Sequence, residues 1–232
     1  MKTIEQQNKD LIQEYYQALE QANSETIGGV LSHYMSEDCH WYGVHPFNEQ
    51  KGPKAVNEVF WQPFLQSFKN IQRREDVFMA GVSSNDGANW VTSMGHFMVQ
   101  FDQDWLGIPR SGRIAMIRYA DFNCIEDGQI VRSGFFCDII SVMNQVGINP
   151  LPQSTGHSFI YPGPRTHDGI QLHDMDPAEG EITSALLNQM VDDFAQLNKT
   201  ANDNYPPEIL EKTWSKNMTW YGPAGIGATY TI

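Results

Sequence analysis

The sequence predicts an α+β fold, a cone-shaped barrel in which N-terminal helices pack on a curved antiparallel sheet around an internal pocket. Three observations predict it. Apolar residues recur at helical spacing over residues 3–68. From residue 71 onward the pattern becomes strand-like, with runs divided by the turn sequences Ser84-Asn85-Asp86-Gly87 and Glu126-Asp127-Gly128. Within residues 114–122 both alternating faces carry apolar side chains, Ala115, Ile117 and Tyr119 on one and Ile114, Met116 and Phe122 on the other. That strand is expected to be covered twice, by the helices and by a partner sheet. Helices followed by hairpins is the α+β order.

The elements follow in turn. Residues 3–22 read as a helix with Leu11, Ile12, Tyr15 and Leu19 on one stripe. Ser24 reads as the N-cap of a short second helix over residues 26–35. Residues 39–44 are short, aromatic and strand-like. Gly52-Pro53 opens a third helix carrying Val56, Phe60, Phe64 and Phe68, and Pro63 inside it predicts a kink. Strands are expected over residues 73–82, 89–101, 113–125 and 129–138, with a loop over 102–112. A last helix over 139–146 is stopped by Gly147.

Composition narrows the function. The chain has 232 residues, 15 Lys+Arg against 28 Asp+Glu, and a formal net charge of −13. Phosphate contacts need clustered cations, so nucleic-acid partners and anionic membranes are excluded. A hydrophobic content of 41% with 12% aromatic residues supplies a packed core and excludes wholesale disorder. No apolar run is long enough to cross a bilayer, and the first residues carry no apolar signal region. Cys39, Cys124 and Cys137 form neither a disulfide framework nor a zinc spacing; they read as small buried hydrophobes. A cytoplasmic protein without metal or cofactor is expected.

An internal repeat organises the chain. At an offset of 179, residues 11–43 align with 190–222 without a gap, and eight of 33 positions are identical: Gln17, Ala22, Asn23, Leu31, Ser36, Trp41, Tyr42 and Gly43. The expected organisation is a complete domain over residues 1–147, a Pro/Gly-rich linker over 148–180, and the opening third of a second domain over 181–232. The apolar stripe of that second copy, with Met190, Val191 and Phe194, is expected to dock on the first domain or on a neighbouring chain. A homodimer is expected, joined through the first domain's exposed sheet face.

Two titratable residues stand out as candidate chemistry. Asp121 shares a strand face with Ile117 and Tyr119, where desolvation would raise its pKa. The structural alternative pairs it with Arg118 or Arg113. His96 lies on a face reading Trp90, Thr92, Met94, His96, Met98, an apolar wall suited to an organic ligand. The alternative is a buried histidine bonded to backbone. The two residues lie on consecutive strands, so they are expected to converge across one hairpin as the catalytic pair. Trp41, Trp90, Met94, Ile117, Tyr119 and Phe136 are the expected lining of a small apolar organic ligand. His40 and His45 make a weak metal signal, and His157, His167 and His173 read as solvated linker residues. There is no phosphate loop, no Gly-x-Ser-x-Gly and no His-Glu-x-x-His.

The run Trp105-Leu106-Gly107-Ile108-Pro109-Arg110-Ser111-Gly112-Arg113, then Arg118 and Asp121, then Glu126-Asp127-Gly128-Gln129-Ile130-Val131, resembles the SnoaL-like polyketide cyclases of the nuclear transport factor 2-like superfamily. The resemblance covers residues 10–147 and implies the α+β barrel with a deep apolar pocket. It implies ring closure by intramolecular aldol condensation without metal or cofactor, Asp121 as the acid–base residue, and His96 as its partner in stabilising an enolate oxygen. It also implies a tandem pair of such domains. Gly134 stands where the family often has Trp, and Arg110-Ser111 stand for Pro-Thr, departures that reshape the pocket and the loop. A non-catalytic binding module and a hydrolase, dehydratase or isomerase on the same fold are the alternatives.

Overall fold

The computed structural model describes residues 2–161, 163–199 and 207–230. Ala201 and Asn202 of the repeat, Pro162 of the linker and the terminal residues Met1, Thr231 and Ile232 lie outside them. The fold is α+β, as the sequence predicts, with N-terminal helices against a large curved sheet.

Helix α1 (Ile4–Gln21) starts at Thr3, whose hydroxyl accepts from the Gln6 N–H, and it buries Ile12, Tyr15, Tyr16 and Leu19. Helix α2 (Ile27–Tyr34) is not capped by Ser24. The N-cap is Thr26, without a side-chain cap bond, and Asn23 closes the turn before it, its Oδ1 accepting from the backbone N–H groups of Glu25 and Thr26. An Asn side chain makes this bond to the backbone two residues on more strongly than a Ser hydroxyl does, and here Asn stands one residue earlier. Strands β1 (Met35–Gly43) and β2 (Glu49–Lys51) form a hairpin.

The expected third helix is three pieces. α3 (Gly52–Val56) passes into a π-turn (Asn57–Trp61) and then α4 (Gln62–Ser67). The Gln62 N–H donates to the Asn57 carbonyl, five residues back. Pro63 has no N–H to give and its ring crowds the preceding turn, so the wider π-turn accommodates it where a kink was expected.

Strands β3 (Phe68–Val82), β4 (Asn89–Phe101), β5 (Ile114–Glu126) and β6 (Gln129–Cys137) follow, then α5 (Ile139–Gln145), ended by Gly147 at φ 85°. The sheet order is β2-β1-β6-β5-β4-β3. All neighbours are antiparallel except β1 and β6, which run parallel. A hairpin cannot join parallel strands, and the helices and four strands between β1 and β6 supply the long crossover such a pair needs. The inner face is filled by rings in mutual contact, among them Trp41, Phe60, Phe64, Trp105 and Phe135. Where an internal pocket was expected, this aromatic packing occupies the space under the sheet.

The linker is not a free tether. Residues 168–174 run along the open edge of β3: the Phe78 N–H donates to the Gly169 carbonyl, and the Gln171 N–H donates to the Phe78 carbonyl. The strap then ties to α1, where buried Lys9 donates to the His173 carbonyl at 2.7 Å and Thr3 Oγ1 donates to the Asp174 carboxylate. Helix α6 (Pro177–Lys199) begins four residues earlier than the repeat suggested, with proline at its first position.

Beyond it lie α7 (Pro207–Thr213) and strands β7 (Thr219–Tyr221) and β8 (Ala228–Tyr230). The lone strand expected here is a hairpin. Its register repeats that of β1 and β2 at the same offset of 179: His40 faces Lys51 as Thr219 faces Tyr230, and Tyr42 faces Glu49 as Tyr221 faces Ala228. The turn bonds repeat too. Phe47 and Asn48 N–H donate to the Val44 carbonyl, as Ile226 and Gly227 N–H donate to that of Pro223. The burial differs: Val191 and Trp220 are exposed where Ile12 and Trp41 are core. The expected docking of the α6 stripe on the first domain is not what makes contact. No residue of α6 is buried, and the hairpin end docks instead, with the Gly222 carbonyl accepting from Arg118 at 2.9 Å and Ala228 bridging to His157. Among the described residues no helix is long and apolar enough to cross a membrane.

Candidate active site

Register decides which side chains meet. In the β4–β5 ladder Ser93 faces Asp121 and His96 faces Arg118. Facing residues share a side of the sheet and successive residues alternate. His96 is three residues from Ser93, so it points to the side opposite Asp121. The expected pair therefore does not converge. Asp121, Trp41, Ile117 and Tyr119 belong to the buried inner side; His96, Trp90, Met94 and Phe136 belong to the outer side. The expected ligand lining is split between two faces. The loop over residues 102–113 sets the register, and nothing in its composition gives the number of residues between the last paired positions.

On the outer side His96 Nδ1 lies 3.6 Å from Asp76 Oδ2. Arg118 stacks on Tyr161 at 3.8 Å and pairs with Asp138 at 3.3 Å. A cavity of about 10 Å³ among Met94, His96, Arg118, Tyr161 and Tyr221 has room for little more than a water molecule. Phe136 is half exposed against Phe122.

The inner side holds a polar centre. Asp121 is 3% exposed. Its Oδ2 accepts from the Tyr16 hydroxyl at 2.9 Å and lies 3.7 Å from Arg73 Nη1. The paired cation is thus Arg73 of β3, not Arg118 or Arg113. Arg73 is buried among rings: its guanidinium carbon lies 3.6 Å from the centre of Tyr16, 4.4 Å from Tyr119 and 4.9 Å from Phe97. Neither Nη1 nor Nη2 makes a regular hydrogen bond, although the Tyr119 hydroxyl and the Asp121 carboxylate both act on the guanidinium. A second carboxylate adjoins: Glu75 Oε1 accepts from the Ser93 hydroxyl at 3.1 Å, and Ser93 Oγ in turn lies 2.9 Å from the Tyr119 hydroxyl.

Burial pushes the Asp121 carboxyl up, and the Arg73 charge and the Tyr16 bond pull it back without cancelling the rise. Burial also raises Glu75, Tyr16 and Tyr119. For Arg73 burial acts downward, but the Tyr119, Tyr16 and Asp121 oxygens outweigh it, so the guanidinium stays charged. What the centre can do chemically is accept a proton at a desolvated carboxylate and offer unused N–H donors to a developing negative oxygen beside it. Among the described residues no group of three or more His, Cys, Asp and Glu side chains could hold a metal ion. His40 is instead bonded to Glu49 at 2.9 Å, and the three cysteines are buried and free.

Sequence reading found Asp121 but missed Arg73, Glu75, Tyr16 and Ser93. The one available signal was the alternation that puts Arg73 and Glu75 on one side of β3, and a bulge at Asp76 reverses that alternation before Phe78. Gly95 lies under this stretch. A Cβ there would meet the Arg74 carbonyl oxygen at 2.0 Å and the Glu75 Cα at 3.0 Å, both backbone atoms. Gly95→Ala is therefore expected to push β3 outward and cost about 1–3 kcal/mol, measured by urea unfolding; an unchanged midpoint would refute the close approach.

No family model matches the chain, and no curated protein sequence does. Solved structures do resemble it. One is provisionally named a SnoaL-like polyketide cyclase, from Jannaschia sp. CCS1: 18% identity, TM-score 0.49, 66% of this chain and 98% of that one. IdmH of Streptomyces antibioticus, provisionally named a polyketide cyclase, gives 18% and 0.47 over 60% of this chain and 97% of its own. AclR of Streptomyces galilaeus, provisionally named a hydroxylase, gives 18% and 0.48 over 61% and 96%. Values this low say nothing of reaction or substrate.

Proposed function

We propose that the chain is a cofactor-independent acid–base enzyme acting on a small apolar carbonyl compound, in the manner of a SnoaL-like cyclase. The observation that carries this reading is a buried, upward-shifted carboxylate 3.7 Å from a buried guanidinium whose two terminal nitrogens make no regular hydrogen bond. Asp121 removes a proton alpha to a carbonyl. Arg73, in the place expected of His96, donates to the enolate oxygen. The enolate carbon then forms a bond to a second carbonyl carbon of the same molecule, whose oxygen takes up a proton. Charge is conserved, and a ring is closed.

The test needs a ligand, which mass spectrometry of the purified protein can identify. Asp121→Asn is expected to lower turnover of that compound, or exchange of its alpha hydrogen for deuterium, at least about 100-fold. Unchanged exchange would sink the assignment. One observation favours a second reading, a binding module without turnover: Asp121 already has a charge partner, and the space beneath the sheet is packed with rings. Equal affinity in both proteins with no exchange in either would establish that reading.

We also propose that residues 177–230 are a second copy of the domain's opening segment. The matching hairpin register supports this. Homodimerisation through the outer sheet face is proposed as well, supported by exposed Tyr42, Phe122 and Phe136; light scattering tests it.

A further inference from the structure

Asp121 and Glu75 both feel the charge of Arg73, Asp121 at 3.7 Å. Arg73 and Glu75 are two residues apart on β3 and point inward together. Ser93, beside Asp121 in the β4–β5 register, donates to Glu75. Glu75, Ser93 and Asp121 thus form a row across three strands, with the Arg73 guanidinium beside its Asp121 end. One buried cation offsets one buried carboxylate. A second ionised carboxylate close by must share that one cation, so it takes a proton more readily.

We propose that Glu75 and Asp121 hold one proton between them across Arg73, and that Glu75 is the residue that donates it. Asp121 has the Tyr16 hydroxyl and Arg73 at hand, both of which favour its ionised form. Glu75 also feels Arg73, but burial outweighs that pull, and its one hydrogen-bond partner, the Ser93 hydroxyl, can rotate to donate or accept and so suits either state. The other groups facing the row fit this. From α1 come Tyr15, Tyr16 and Glu20, the last accepting from the Arg73 backbone N–H at 2.7 Å; from β5 come Tyr119 and Asn123. The tyrosines are held above their ordinary pKa by burial and stay neutral, and Glu20 adds negative charge that opposes ionisation of Glu75.

The donor role rests on the reading of Asp121 as the base; the shared proton does not. In that role the proton balance closes. Asp121 gains the proton lost by the substrate carbon, and Glu75 gives one to the new alkoxide. Glu75 ends ionised and Asp121 protonated, and exchange with solvent at the less buried Glu75 end restores the start.

The experiment needs no substrate. Carbon-13 NMR titration of the two carboxyls is run on the full chain and on Glu75→Gln, Asp121→Asn and Ser93→Ala. In Glu75→Gln the Asp121 midpoint is expected to fall by more than about one pH unit, and in Asp121→Asn the Glu75 midpoint falls likewise. Should either variant fail to fold, Ser93→Ala decides: the Glu75 midpoint rises and the Asp121 midpoint falls. Midpoints that stay put when the partner changes would overturn the shared proton. Coupling without any turnover would instead overturn the enzyme reading and leave the shared proton standing.

Discussion

Replacing Arg73 by leucine is expected to cost the domain about 3–5 kcal/mol, because it strands a buried carboxylate whose only cation is gone. Asp121 is 3% exposed and cannot recover water on losing its partner. It will take a proton, and its titration midpoint will move further up. The double variant Arg73→Leu/Asp121→Asn removes both charges and is expected to regain most of the loss, since a neutral amide can still accept from the Tyr16 hydroxyl. Urea unfolding of the three variants measures the cycle. A single-variant loss under about 1 kcal/mol, or no recovery in the double, would mean that the pair at 3.7 Å is not coupled.

The second large effect contrasts two copies of one position. Trp41 is 3% exposed and touches Phe47, Phe60 and Phe135. Trp41→Ala is expected to cost about 3–5 kcal/mol. Trp220, its counterpart 179 residues on, is 48% exposed and stacks on Trp214 at 6.4 Å. Trp220→Ala is expected to change stability by no more than about 1 kcal/mol. Equal losses from the two would show that the second copy has a covered core after all.

The order of elements was legible in the sequence because each rests on local signals. The turn at Ser84–Gly87 and that at Glu126–Gly128 fix two hairpins, and helical spacing fixes α1. What could not be read was anything that depends on register. Asp121 and His96 each sit on the strand the sequence assigns, yet the β4–β5 pairing places them back to back. Arg73 looked like one more charge at the start of a strand. Only the β3–β4 pairing, with its bulge at Asp76, carries it beneath Tyr16 and Tyr119. The repeat was visible through Gly43 and hidden after it: residues 44–51 and 223–230 share no identity, although their hairpins have one geometry. A turn can be closed by Asn48 at φ 52° or by Gly227 at φ 83°, so sequence drifts where backbone conformation does not.

The strap on β3 has a colloidal consequence. β3 is fifteen residues long and lies at the rim of the sheet, with its outward N–H and C=O groups available to any strand that comes by. Residues 168–174 occupy the middle of that rim at Phe78 and are anchored at their far end to α1 through Lys9 and Thr3. The strap therefore works as a guard against edge-to-edge association between molecules. A protease cut within it would leave the aromatic interior and the Asp121 centre as they are while exposing an adhesive margin, so nicked protein would precipitate before it unfolds.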